Sequence, residues 1–393
     1  MAEPLTISTR DHRFSRFELI GWWDQQRLAS ARVIVVGAGA LGNELLKNLA
    51  LLGVGQRGHG HVTIIDMDDI EHSNLSRSVL YRAEDAGRKK AEVAAERAAE
   101  IYPDMDARAV VGDVKLDLGL GAFREADVVL GGLDNREARL AINRACYRVG
   151  TPWVDGAIQV VDGIARVFVP PGACYECTMN KTDWQVLQHR RSCAGLSRKE
   201  MEGGKVPTTP TVGSIIAGVQ VQEAVKLLHG IDTIAGKGWS FNGAATDAWQ
   251  TEYDRKEDCL SHDPLLDVRP VGTDSTFGGL LEEATRLGAP NLELPKTLLR
   301  GFRSETGEFE PVDDLLERVS AERLSDPRTG AARHVVTLDA VSTDTTGTGP
   351  NLLGLRPADV GFPSHEIFTA RTPAGAIGLE LSDDTVEDEL ELE

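Results

Sequence analysis

Residues Arg32–Val54 read RVIVVGAGALGNELLKNLALLGV. An apolar run, a cluster of small residues and a longer apolar segment predict a buried strand, a glycine turn and a helix. Gly37, Gly39 and Gly42 stand as G-x-G-x-x-G directly between strand and helix. In that setting the glycines let the backbone turn and approach phosphates at the helix N-terminus. Asp66 closes the next expected strand, in HVTIIDMDDI, where a carboxylate can accept ribose hydroxyl hydrogens. Taken alone, the pattern fits a dinucleotide and ATP equally well. A G-x-x-x-x-G-K-[ST] loop is absent, which excludes a P-loop ATPase.

Outward from this stretch the elements alternate. Residues 1–31 read as a helical lead-in with amphipathic spacing in FELIGWWDQQRLASA. GRKKAEVAAERAAEIYP predicts an alanine-rich helix stopped by Pro103, and ARAVVGDV and ADVVLGGLDN predict strands. REARLAINRACYRVG predicts a helix capped by Gly150. PWVDGAIQVVDGIARVFVPPG predicts a strand pair turning at Asp162–Gly163. Residues 178–212 read as a long polar loop, and TVGSIIAGVQVQEAVKLLHG as a buried helix. Alternating strands and helices predict an α/β fold with a Rossmann-like, mostly parallel sheet.

Past about residue 265 the texture changes, so the expected division is 1–265 and 266–393. LLDVRPVGTDSTFGG reads as a linker and EPVDDLLERVSAERLS as a short helix. HEIFTARTPAGAIGLELS reads as a hairpin around TPAG, and DDTVEDELELE as a solvated acidic tail. The region is expected to form a small α+β extension.

Composition narrows the function classes. A formal charge of −19 argues against a nucleic-acid binder held by phosphate contacts. No apolar run approaches the ~18 residues of a membrane-spanning helix. MAEPLTISTRDHRFSRF lacks the apolar core of a secretory signal, so a cytoplasmic location is expected. Five cysteines, an odd number, suit metal and catalytic roles better than a disulfide framework.

The residues after Asp66 shift the balance toward ATP. DMDDIEHSNLSRSVLYRAEDAGRKKAE places Asn74, Arg77 and Lys90 downstream of it. A dehydrogenase has no evident use for two cations there. An enzyme splitting ATP between the α and β phosphates does, because charge grows on both fragments in the transition state. Asp134, in GLDNREAR, lies at the end of another expected strand, on the edge where open α/β sheets bind ligands. A carboxylate there can hold Mg²⁺ on phosphates.

In order, GAGALGNELLKNLALLGVG, DMDDIEHSNLSRS, GRKKAE, GLDNREAR and a C-x-x-C resemble the ubiquitin-activating and MoeB/ThiF-type adenylyltransferases. The resemblance spans about residues 10–265. It implies that Asp66 and Asp68 lie on the ribose side, and that Asn74, Arg77 and Lys90 surround the phosphates. It implies Mg²⁺ on Asp134, with Asn135 beside it. RFSR resembles the family's leading arginine motif, which implies that Arg16 reaches a neighbouring subunit's ATP site in a homodimer. Ala40 and Ser78 depart from the commoner glycine and glutamine, and neither removes a pocket charge.

Cys174 and Cys177 have zinc-knuckle spacing, and Cys259 and His262 repeat it in RKEDCLSHDP. Together they are expected to hold a structural Zn²⁺. The resemblance supports a paired knuckle, with histidine in the last place as a departure. Cys146 lies in a helix and reads as a packing residue. Cys193 is left over, in HRRSCAGL, beside Arg190 and Arg191. Nearby cations favour the nucleophilic thiolate. The resemblance implies a loop cysteine that attacks an acyl-adenylate. Lys205 and its threonine-rich surroundings are placed on the entry path of a substrate tail.

The expected activity is therefore adenylation of the C-terminal glycine of a ubiquitin-like protein, then a thioester on Cys193 and transfer to a conjugating enzyme or another acceptor. The alternative is a sulfur-carrier partner and a thiocarboxylate product. An NAD-dependent oxidoreductase leaves the knuckle, Arg77 and Lys90 without roles, and a non-catalytic scaffold leaves the charge set unexplained. By analogy, residues 266–393 recruit the conjugating enzyme; a packing or dimerisation extension is the other reading.

Overall fold

The computed structural model describes residues 11–185, 207–304, 308–320, 322–325, 333–343 and 351–383. They fall into two compact units, one from 11–114, 123–184 and 207–262, the other from 115–122 and 263–383.

The first unit is built on an eight-stranded sheet. Its strands are β1 (Arg32–Val36), β2 (His61–Ile65), β3 (Ala107–Val110), β4 (Val128–Gly131), β5 (Trp153–Gln159), β6 (Asp162–Phe168), β7 (Lys237–Asn242) and β8 (Asp247–Glu252). Their order is β3-β2-β1-β4-β5-β6-β7-β8. From β3 to β5 all pairings are parallel; from β5 to β8 they are antiparallel. The chain runs outward through β1, β2 and β3, then returns to place β4 on the other side of β1. That reversal opens a fork at the carboxyl ends of β1 and β4, where doubly wound sheets bind ligands.

The helices of this unit are α1 (Gln25–Ser30), α2 (Ala40–Leu52), α3 (Lys90–Ile101), α5 (Arg136–Val149), α6 (Tyr175–Thr178) and α7 (Pro210–His229); α4 (Leu120–Glu125) precedes β4. Gly53, Gly150 and Gly230 end α2, α5 and α7 in the left-handed conformation, where a side chain would be strained. Val33, Val35, Leu45, Leu49, Ile64, Val128 and Ile216 are all buried in one core beneath them.

Three local expectations give way here. Among the described residues the lead-in contributes α1, capped by Asp24, and a 3₁₀ turn at Phe17–Leu19, with Gly21 between them. The β5–β6 turn falls on Val160–Val161, with Val160 at φ 58°; Asp162 and Gly163 already pair with Gln159 and Ile158. The polar region 178–212 is helical at 181–185, and α7 begins at Pro210, where a missing N–H costs nothing. Residues 186–206, with Cys193 and Lys205, lie outside the described residues.

The second unit is α+β. Its strands are β9 (Leu265–Val271), β10 (Leu292–Arg303), β11 (Phe309–Leu315), β12 (His334–Val341), β13 (Ile367–Thr372) and β14 (Gly375–Leu381), with α8 (Phe277–Arg286) after β9. The order is β11-β10-β13-β14-β9, with β12 also on β10. Phe277, Leu280 and Leu281 of α8 share a core with Leu292, Phe368 and Leu379. The hairpin around TPAG forms as β13 and β14. The expected linker is instead an edge strand, β9, parallel to β14; an edge tolerates Pro270. The expected helix in EPVDDLLERV is β11, pairing with β10, followed by a 3₁₀ turn. Pairing with β10 decides the local conformation there.

Candidate functional site

The glycine turn sits at the β1–β4 fork. Gly37 has φ +90°, and a Cβ there would lie 2.7 Å from the carbonyl oxygen of Gly132, just past β4. A Cβ on Gly42 would overlap the Gly37 carbonyl. Gly39 caps α2 with its backbone alone and faces open space. The first turn of a thirteen-residue helix thus starts at the fork, where helix N–H groups favour an anion.

Asp66 closes the loop from below. Its Oδ2 accepts from the Ala38 N–H at 2.7 Å and its Oδ1 from the Asp68 N–H at 2.8 Å. Burial raises its pKa above the usual aspartate value; Lys90 and the two N–H donors pull against that. Lys90 opens α3, and its Nζ lies 2.9 Å from Oδ2 of Asp68. Gly37, Gly39, Gly42, Asp66, Asp68 and Lys90 are therefore drawn into one place.

The other sequence-expected residues lie more loosely. Asn74 is buried and its Oδ1 accepts from the Glu71 N–H at 2.9 Å, bracing a 3₁₀ turn. Arg77 is half-buried and donates to the Ser73 carbonyl at 2.8 Å. Asp134 is exposed, 3.4 Å from the Asn135 amide nitrogen. Asn135 is the N-cap of α5, its Oδ1 accepting from the Ala138 N–H at 2.8 Å. Arg16 is exposed on the 3₁₀ turn. The hydrogen bonds that tie Asp66 to the Ala38 and Asp68 N–H groups and Lys90 to Asp68 do not involve Arg16, Arg77 or Asp134.

Sequence reading missed the residues that hold the loops. Asn43 donates to the carbonyls of Ala38 and Gly39 and accepts from the Leu80 N–H at 2.9 Å. The Tyr81 hydroxyl donates to the Ala38 carbonyl at 2.6 Å, and burial pushes its pKa up, so it remains a donor. Beneath β4 and β5, the fully buried Asp155 accepts from Arg139 Nε at 2.8 Å and from Arg166 Nε at 2.9 Å. Asp155 inside the apolar strand WVDGA was the available signal, since a buried carboxylate needs cationic partners.

Cys174, Cys177, Cys259 and His262 converge, with their ligand atoms all within 4.8 Å of one another. Cys174 Sγ lies 3.6 Å from the sulfurs of both Cys177 and Cys259, and Cys177 Sγ lies 3.4 Å from His262 Nε2. Thiolates on a tetrahedral zinc with bonds of about 2.3 Å sit about 3.8 Å apart. Burial pushes the Cys174 and Cys259 thiols up and the His262 imidazole down. The donor set therefore fits a cation that would displace the thiol protons and take the neutral imidazole. Asn143 binds the Tyr175 N–H at 2.7 Å and the Ser261 hydroxyl at 2.8 Å, and Ser261 donates to Glu176, bracing the cluster.

The ThiF family pattern matches residues 12–261. The chain belongs to the ThiF family. This ThiF-family chain is 34% identical over 230 residues to the SAMP-activating enzyme E1 of Haloferax volcanii, covering 56% of this chain and 77% of that protein. It is 32% identical over 224 residues to the sulfur carrier protein ThiS adenylyltransferase of Escherichia coli, covering 56% and 82%. The fold matches the crystal structure of E. coli MccB with ATP at a TM-score of 0.53 and 20% identity, over 65% of this chain and 75% of that one. The chain is an adenylyltransferase of the E1-like ThiF/MoeB type. Among the described residues no helix is long and apolar enough to cross a membrane.

Proposed function

We propose that this protein adenylates the C-terminal glycine of a small ubiquitin-like or sulfur-carrier protein. The observation that carries the reading is the placement of a glycine-turn helix N-terminus with Asp66 and Lys90 at the β1–β4 fork. The helix N-terminus takes phosphate and Asp66 takes ribose hydroxyls. The tail carboxylate attacks the α-phosphate of ATP, the bond to the β-phosphate breaks, and pyrophosphate leaves. Lys90 and Arg77 offset charge on the phosphates, with Arg16 of a second subunit in a homodimer. A carboxylate nucleophile is already ionised at neutral pH, so the step requires no general base. Asp134, with Asn135 beside it, would hold Mg²⁺, which supplies charge neutralisation on the phosphates. The Cys174, Cys177, Cys259 and His262 cluster would hold a structural Zn²⁺.

The thiolate of Cys193 then attacks the acyl carbon, AMP leaves and a thioester forms. Residues 266–393, outside the family match, are the proposed docking element for a conjugating enzyme. The names of the H. volcanii and E. coli relatives favour a second output from the same adenylate, activation of a sulfur carrier.

ATP–pyrophosphate exchange, driven by candidate ubiquitin-like and sulfur-carrier proteins ending in glycine, tests the reading. Exchange that depends on the partner's C-terminal glycine is expected; its absence with every partner of this class sinks the assignment. Cys193→Ala should retain exchange and lose a reductant-sensitive adduct with the partner. An adduct surviving in Cys193→Ala overturns the nucleophile and leaves adenylation standing.

A further inference from the structure

We infer that Arg139 and Gln220 are positioning residues that fix the loop carrying Asp134, and so set how the site takes magnesium-bound ATP. The inference rests on the adenylation reading, because it presumes that Asp134 meets the metal–phosphate group.

The loop runs from Gly131, the last residue of β4, to Asn135, the cap of α5. Its backbone is gripped from two helices. Gln220, in the middle of α7 and fully buried, donates through Nε2 to the Gly131 carbonyl at 2.8 Å and the Val154 carbonyl at 3.2 Å. Arg139, one turn into α5 and also buried, donates through Nη2 to the Leu133 carbonyl and to the Gly156 carbonyl at 3.0 Å. Its Nε is spent on Asp155, which orients the guanidinium. On the far side, Asn135 is locked by its cap to Ala138. The residues flanking Asp134 are thus held on both sides while Asp134 itself stands exposed at the fork.

Two details argue that the grip is built for position and not only for packing. Gln220 Oε1 is buried without a hydrogen-bond partner among the described residues. An unmade bond of that kind costs stability, and an apolar residue would avoid it. The amide is therefore retained for its two donations. Opposite it stands Gly156, where any Cβ would overlap the Gln220 amide. The strand gives up a side chain so that the glutamine can reach.

The test uses the full-length protein, ATP and Mg²⁺ in calorimetric titrations. Gln220→Met keeps the volume and removes both donors. It should fold, shown by a cooperative thermal melt, and weaken ATP binding in saturating Mg²⁺ by about 10-fold, the low end of the cost of losing a residue that orients a metal ligand. ATP binding in EDTA should be unchanged. Gly156→Ala, which displaces the glutamine from the opposite side, should reproduce the effect. Asp134→Asn should lose the same magnesium-dependent increment, and Asp134→Asn with Gln220→Met should bind no more weakly than Asp134→Asn alone. Losses that multiply in the double variant overturn the positioning role and leave the Asp134 assignment intact. An equal loss with and without Mg²⁺ in Gln220→Met also overturns it. A wild-type protein that binds no ATP overturns the adenylation reading and the positioning role with it.

Discussion

Lys90 Nζ and Asp68 Oδ2 lie 2.9 Å apart at the mouth of the glycine turn. The lysine side chain is 12% exposed and the aspartate 54%, so the ammonium is largely sheltered while its partner faces water. On the proposed reading, phosphates at the α2 N-terminus would meet a cation already in place. Lys90→Ala should lower partner-driven ATP–pyrophosphate exchange by about 100-fold or more, the usual cost of deleting a transition-state charge partner. Lys90→Arg should recover part of it. Near-normal exchange in Lys90→Ala would contradict the pocket assignment.

Gly42→Ala should damage the site through the backbone. Its new methyl would overlap the Gly37 carbonyl, so the turn must open or α2 must slide. A destabilisation of about 1–3 kcal/mol is expected from overpacking of this kind, with lost ATP binding. Chemical denaturation and ATP titration of the same sample check both. Gly39→Ala, which meets open space, should be far milder in stability.

Acid should act on Asp66 earlier than on an ordinary aspartate. Burial raises its folded pKa above the unfolded value. Its contribution to stability is therefore present below the unfolded pKa and is lost as pH rises through the folded one. The proposed ribose recognition runs the other way, because only the carboxylate has all its acceptors. ATP affinity should fall on acidification with a midpoint above 3.8, the ordinary value, and the Asp66→Asn variant should lose that dependence. A pH-independent wild-type affinity across that range contradicts the ribose role.

Asp155→Asn should be among the most damaging single substitutions in the first unit. It leaves the guanidiniums of Arg139 and Arg166 beside each other with no counter-charge. Breaking a buried ion group from one side costs about 3–5 kcal/mol. Urea unfolding measures it directly, and a loss below 1 kcal/mol, on the order of a surface pair, would show that the group is wetter than its burial implies.

Metal analysis should find about one zinc per chain, and Cys259→Ser or His262→Ala should lower occupancy and the melting temperature together. A chelator should reproduce the shift in the wild type. A metal-free protein with the same melting temperature as the loaded one rules out a structural ion at the cluster.

Much of the first unit was legible because its signals are local. Gly37, Gly39 and Gly42 lie within six residues, and Asp66 ends the neighbouring strand. The Cys–His pairs are separated by some 80 residues, yet their matching x-x spacing could be read directly. What escaped was non-local. Asp155 finds Arg139 and Arg166 only once β5, β6 and α5 have packed, and Gln220 reaches Gly131 across 89 positions. In the second unit β9 is an edge strand, mostly exposed and holding a proline, so it lacks the alternation that marks a strand. β11, FEPVDDL, shows no clean alternation of apolar and polar residues, and only its partner β10 decides the matter.

The parallel pairing of β9 with β14 bears on how the second unit responds to force. The strands run in one direction, from Leu265 to Val271 and from Ala376 to Leu381. Tension applied at residues 265 and 381 would pull them in opposite senses along their length. All the hydrogen bonds between them would bear that load in shear at once, in place of yielding one by one from an end. A unit tethered through those two points should resist stretching, and one pulled across the β13–β14 turn should peel open at far lower force.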